Sequence, residues 1–119
     1  ISIFGVSAKY IAALKKSGVR PIQTHELNNL KTILSTGSPL SDDSFRYVYD
    51  DIKSDVALAS ISGGTDILSA FVLGHPHLPV WEGEIQCKAL GMAVEIWDEN
   101  GSSVIGKKGE LVCIKPFPS

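Results

Sequence analysis

The sequence predicts an α/β fold in two unlike parts. Residues 1–74 read as part of a parallel α/β subdomain, and residues 75–119 as part of an antiparallel, β-barrel-like subdomain. Three observations predict it. Short β-rich runs alternate with helical patterns in the order β-α-β-α-β up to Asp66. Glycine is sparse before residue 60, with 3 of the 11, and frequent after it, with 8. Beyond residue 83 the apolar runs are short and alternating, with no helical spacing between them. The change of character falls within residues 67–82.

The elements follow from local chemistry. Ile1–Phe4 reads as a buried strand that ends at Gly5. Ser7 is placed to cap a helix whose apolar positions Tyr10, Ile11, Ala13 and Leu14 recur at helical spacing. Lys15 and Lys16 suit its last turn and Gly18 stops it. Pro21 opens a polar connection, with a short helical turn expected around Glu26–Leu30. Lys31–Ser35 is β-rich and runs into the turn Thr36-Gly37-Ser38-Pro39-Leu40. Ser41 is a good N-cap, Asp42 and Asp43 suit the first turn, and Phe45, Val48, Tyr49 and Ile52 supply an apolar stripe. Asp55–Ser60 predicts another buried strand, followed by the glycine-bearing stretch Ile61–Asp66. The later strands are Glu84–Cys87, Ala93–Trp97 and Glu110–Ile114, and Asp98-Glu99-Asn100-Gly101 supplies the turn between the last two.

Composition limits the function. The 119 residues are 44% hydrophobic and 20% charged, enough to bury a core and too apolar for a disordered chain. A net charge of -2 leaves no basic field for nucleic acid or an anionic membrane surface, so neither is an expected partner. No apolar run is long enough to span a bilayer. The 2 cysteines, Cys87 and Cys113, lack metal-ligand or CxxC spacing, which predicts free thiols in a reducing compartment. The chain does not begin with Met, and it starts in a strand and stops in a Pro-containing connection. These features predict a piece of a longer protein, whose uncovered strand edges would make it poorly soluble alone.

Ligands of open α/β sheets bind outside the carboxyl ends of the strands. The turns Ser35–Pro39 and Ser60–Asp66 both follow strands and would face each other there. Their glycines let backbone amides approach a phosphate or flat ring, Thr65 offers a hydroxyl, and Asp66 is a hard oxygen ligand of the kind Mg²⁺ takes. Read alone, the same glycines serve equally as tight turns. His75-Pro76-His77 lacks a third ligand and reads as a surface loop. The serines lack a Gly-x-Ser-x-Gly elbow, so a hydrolase is disfavoured. Asp42-Asp43 and Asp50-Asp51 read as the first turn and solvated face of one helix. Trp81 and Trp97 read as packing residues, and the cysteines as core thiols.

Three stretches resemble the adenylate-forming ligases, the superfamily of acyl-CoA synthetases, luciferases and peptide-synthetase adenylation domains. Ile33-Leu-Ser-Thr-Gly-Ser-Pro-Leu40 resembles the strand and Gly-x-Pro turn that packs on adenine. Gly63-Gly64-Thr65-Asp66 resembles the Tyr-Gly-x-Thr-Glu core, and Gly106-Lys-Lys-Gly-Glu-Leu-Val-Cys113 the Gly-Glu-Leu strand of the β-barrel subdomain. Phe4–Tyr10, Ser60–Ile67, Gly83–Cys87, Leu90–Glu95 and Gly109–Pro116 narrow the likeness to the acetoacetate-activating branch, across essentially the whole chain. The family's tyrosine is Ser62 here and its glutamate is Asp66; both departures resemble that branch.

The resemblance implies the large domain of an adenylate-forming enzyme. ATP (leaving as AMP), Mg²⁺ and coenzyme A would be used on acetoacetate, feeding ketone-body carbon into lipid synthesis. It implies catalytic roles for Thr65 and Asp66, with Asp66 the metal ligand. Gly37, Ser38, Pro39, Ser62, Gly63, Gly64 and Thr65 would hold the nucleotide, and Phe4, Gly5 and Val6 would border the acyl pocket. The family's phosphate loop, ribose-binding aspartate and adenylation lysine have no counterpart here. A second reading therefore stays open, in which these residues alone form a non-catalytic folding or interaction module.

Overall fold

The computed structural model describes all 119 residues. Its first layer is a parallel three-stranded sheet in the order β1-β2-β3, with β1 at Ile3–Ser7, β2 at Thr32–Thr36 and β3 at Ala57–Ser60. Phe4 stands beside Ile33 and Ile33 beside Leu58; one step on, Val6 stands beside Ser35 and Ser35 beside Ser60. Side chains alternate across a sheet. These residues therefore share the face that the helices cover. The opposite face, with Ile3 and Ala57, is largely open, and Ile3 is 60% exposed. The buried strand expected at Ile1–Phe4 is thus an edge strand covered on one face only.

Helix α1, Ala8–Ser17, forms as its caps require. Ser7 Oγ accepts from the Tyr10 amide at 3.1 Å, and Gly18 ends the helix in the left-handed region. The next short helix, α2, spans Pro21–Thr24 and not the expected Glu26–Leu30. Pro21 sits at its first position, where its fixed φ suits a helix start and its missing N–H costs nothing. Glu26–Leu30 makes only a turn, closed by Leu30 N donating to Leu27 O at 3.0 Å. Helix α3, Asp42–Tyr47, continues into a wider π-helical turn, Val48–Ile52, where Lys53 N donates to Val48 O at 2.8 Å. The expected stripe is inward, with Phe45, Val48 and Ile52 buried and Tyr49 half-buried. Tyr47 is buried too, its hydroxyl donating to Val19 O at 2.8 Å and so holding the α1–α2 connection.

Antiparallel pairing begins immediately after β3. Strands β4 (Ser62–Gly64), β5 (Ser69–Leu73) and β6 (Cys87–Lys88) form one sheet, which spans residues on both sides of position 74. Strands β7 (Val94–Trp97) and β8 (Glu110–Cys113) form another. The turn at Asp98–Gly101 is present, with Asp98 Oδ1 accepting from the amides of Asn100 and Ser102, each at 2.9 Å. The molecule measures 50 × 27 × 26 Å and holds two separate cores. One lies under the parallel sheet. The other gathers Ala89, Met92 and Val94, with Phe71 edge-on to Phe117 beside them. No helix is long and apolar enough to cross a membrane.

Candidate functional site

A cleft of about 380 Å³ opens at the carboxyl ends of β2 and β3, where the parallel sheet predicts a ligand site. One wall is the turn Thr36–Leu40, held down by buried Leu40, with Gly37 at φ +82°. The second wall is Ser60–Gly63, joined to β2 by Ile61 N donating to Ser35 O at 2.8 Å. A third wall comes from much later in the chain, Gly83 and Ile85. The surface offers the hydroxyls of Thr36, Ser38, Ser60 and Ser62, apolar flanks at Pro39 and Ile85, and no charged side chain.

The stretch Ser60–Asp66 is not the loop its glycines suggest. Ser62–Gly64 pairs with β5, and Thr65–Leu68 forms the hairpin turn, closed by Leu68 N donating to Thr65 O at 3.2 Å. A register shift between Ser62 and Gly63 leaves β5 with an extra residue, a bulge of the kind that bends a strand and re-aims its end. Gly63 is required by close approach. A Cβ there would overlap Ser69 O and stand 2.6 Å from Ala70 Cα.

Of the residues expected at a nucleotide, Gly37, Ser38, Pro39, Ser62 and Gly63 come together in the cleft. Gly64, Thr65 and Asp66 stand just beyond it, exposed at the hairpin tip. Phe4, Gly5 and Val6 lie outside the lining as well. Phe4 faces Tyr10 edge-on at 6.2 Å and lines a separate hollow of about 870 Å³ between β1, α1 and α2. Val6 packs on the main core, and Gly5 is exposed on the open face. Ser60 lines the cleft as part of the facing turn that its place at a strand's carboxyl end predicts, whereas sequence reasoning missed Gly83 and Ile85, which arrive only through tertiary packing.

Asp66 makes no ion pair or hydrogen bond, and no cluster of three or more His, Cys, Asp or Glu side chains could form a metal cage. One free carboxylate is what Mg²⁺ carried on phosphate oxygens needs, since this ion keeps its waters and takes one or two carboxylates. Elsewhere, His75 and His77 are exposed on a loop, and both cysteines are free and half-buried, Cys113 packed against the second core and Cys87 outside it. Trp97 is half-buried and donates Nε1–H to Glu95 at 2.8 Å, whereas Trp81 is 63% exposed and does not pack inside.

This architecture is that of part of the large domain of adenylate-forming enzymes. The chain superposes on an anthranilate CoA ligase with a TM-score of 0.73 over 92% of its length and 20% of that protein's, at 20% identity, a likeness of fold. Within that class the sequence likeness is to acetoacetyl-CoA synthetase. The chain is 58% identical to that enzyme from Rhizobium meliloti (strain 1021) over 118 residues, 99% of this chain. It superposes on the acetoacetyl-CoA synthetase of Streptomyces lividans with a TM-score of 0.87 over 98% of its length, at 40% identity. It spans about 18% of the Rhizobium protein and 19% of the Streptomyces one. No family model matches the chain.

Proposed function

We propose that a full-length protein carrying this chain is an AMP-forming acetoacetate–CoA ligase acting in the cytosol. The observation that carries the reading is the 58% identity to an acetoacetyl-CoA synthetase along 99% of the chain. The reaction runs in two steps. A carboxylate oxygen of acetoacetate attacks the α-phosphorus of ATP and pyrophosphate leaves, giving acetoacetyl-adenylate. The thiol of coenzyme A, losing its proton, then attacks the acyl carbon and AMP leaves. Pentavalent charge at phosphorus is met by positioned donors and cations, so the first step needs no protein nucleophile.

Within this reading Gly37, Ser38 and Pro39 flank the adenine from one side. Ser62, Gly63 and Gly64 flank it from the other and leave room for the reacting carboxylate. Thr65 donates its hydroxyl to an α-phosphate oxygen. Asp66 holds Mg²⁺, which when bound neutralises phosphate charge. For the acyl chain the resemblance names Phe4, Gly5 and Val6, which lie within β1 and outside this cleft. Residues 1–74 thus carry the two turns that frame the nucleotide, and residues 75–119 are the β-rich part that adds the third wall at Gly83 and Ile85.

Acetoacetate-dependent exchange of pyrophosphate into ATP by the full-length protein tests this. Asp66→Ala is expected to lower the exchange rate by about 10²- to 10³-fold, the scale for removing one positioned electrostatic partner. Unchanged exchange in that variant removes the metal role, and exchange driven by acetate or longer acids but not acetoacetate removes the substrate assignment. The 119 residues alone are expected to show no exchange.

A further inference from the structure

The third wall of the cleft is held by side chains that do not reach the cleft. On its amino-terminal side Arg46, near the end of α3, grips Glu82. Arg46 Nε donates to both carboxylate oxygens at 3.0 Å each, and Nη2 donates to Oε2 at 2.8 Å. On its carboxyl-terminal side Gln86 is fully engaged. Its Nε2 lies 2.8, 3.1 and 3.2 Å from the carbonyl oxygens of Leu78, His75 and Pro79, and its Oε1 accepts from the His75 amide at 2.9 Å. Between these anchors Gly83 takes φ +76°, and a Cβ there would stand 2.6 Å from Asp42 Oδ1. The segment therefore lies directly on the first turn of α3. That helix starts immediately after Thr36–Leu40, so one helix carries the framing turn at its amino end and the grip on the opposing wall near its carboxyl end.

We propose that Arg46 is a positioning residue for the nucleotide. Through Glu82 it holds Gly83 and Ile85 opposite Gly37–Pro39, so that the cleft closes over a flat purine ring. The inference rests on the nucleotide reading of the cleft given above. An exposed ion pair contributes little to stability, and the half-exposed Arg46–Glu82 pair sits in that class. Its bidentate geometry fixes direction, which a lysine cannot reproduce. The two roles separate in measurement. A structural pair changes the melting temperature, whereas a positioning pair changes affinity for ATP.

The test is steady-state ATP–pyrophosphate exchange by the full-length protein, with melting curves, for Arg46→Ala, Glu82→Gln and the reversed pair Arg46→Glu with Glu82→Arg. Arg46→Ala and Glu82→Gln are each expected to raise KM for ATP by roughly tenfold, with kcat and KM for the acid within about twofold. The reversed pair is expected to recover most of the loss, and the melting temperature to move little. An unchanged KM for ATP, an equal rise in KM for both substrates, or no recovery in the reversed pair overturns the proposal. Should the unaltered protein show no acetoacetate-dependent exchange, the ligase reading fails by itself. Equilibrium dialysis of ATP against the same variants then decides on the wall, with equal binding to all of them overturning it.

Discussion

The two parts of the chain are held by different means. Up to Leu58, 11 buried residues form one cluster around Phe45, Ile11, Ile33 and Leu58. Beyond Ser60 the second cluster has only 3 fully buried members. The β-rich part relies instead on strand pairing, the Asp98 turn and the amide of Gln86. Regions with few buried apolar contacts open locally at low free energy. The difference teaches which side of the cleft is the rigid template. The Gly37–Pro39 turn rests on the large core, while the hairpin tip with Thr65 and Asp66, and the wall at Gly83–Ile85, belong to the softer part.

Two built-in probes make the comparison breakable. Every helix lies between residues 8 and 52, so helical circular dichroism reports the first part. Trp81 and Trp97 lie in the second, so tryptophan fluorescence reports that one. Urea unfolding of the 119-residue chain is expected to show the fluorescence transition at lower denaturant than the helical one. The largest single effect is expected for Phe45→Ala, where Phe45 is 1% exposed. Truncating a buried aromatic costs about 3–5 kcal/mol. The helical transition is expected to fall by that amount, whereas Met92→Ala moves only the fluorescence transition, by about 2 kcal/mol. Coincident transitions that shift together in both variants would break the comparison.

Gly63→Ala is the next effect in size. Its Cβ would push β5 away from β4, an overpacking strain of roughly 1–3 kcal/mol. The fluorescence transition is expected to drop by that much, and exchange in the full-length protein to fall as the hairpin tip shifts. For the fluorescence transition Gly64→Ala is the control, because a Cβ there meets nothing nearer than the Asp66 amide nitrogen at 4.0 Å. Equal shifts of that transition in the two variants would remove the close-approach explanation.

Acid and alkali sharpen the contrast from another direction. Glu82 is held below its ordinary 4.5 by its hydrogen bond and charge interaction with Arg46. Asp43 and Asp55 are held below 3.8 by Lys15 and Lys53. A lowered carboxyl contributes stability above its ordinary value and loses it as pH falls through the lowered one. Burial pushes Tyr47 and Tyr49 above 10.0, so the stability they contribute is present below that value and lost as pH rises through their raised values. A pH series of melting curves is therefore expected to be flat between these limits. The alkaline loss should appear in the helical signal, since all 3 tyrosines lie in the first part. An alkaline loss confined to fluorescence would contradict this.

The parallel layer was legible in the sequence because its signals are local. Ser7 and Gly18 cap one helix, and the Phe45–Ile52 stripe carries its face whether the turns are α or π. The hairpin at Ser62–Leu73 was not, because Ser62-Gly63-Gly64 has the composition of a loop. Only contact with β5 makes its small residues a strand. The same divide runs through the cleft. The turns that end β2 and β3 were visible as glycine-bearing strand ends. Gly83 and Ile85 were not, because a contact between Arg46 and Glu82, 36 residues apart, brings them there.

The smallest effect is expected at Ser35, and it tests the first part where it is tightest. Ser35 lies on the helix-covered face of β2, between Val6 and Ser60, with 0% exposure. Its hydroxyl has no hydrogen-bond partner. A buried hydroxyl without a partner carries its full desolvation cost, so removing it is neutral or favourable. Ser35→Ala is expected to leave the fluorescence transition in place and to hold or raise the helical one by up to about 1 kcal/mol. A loss greater than that would mean that the hydroxyl finds a partner in solution. It would also mean that the rigid core under the Gly37–Pro39 turn is held partly by a polar contact rather than by burial alone.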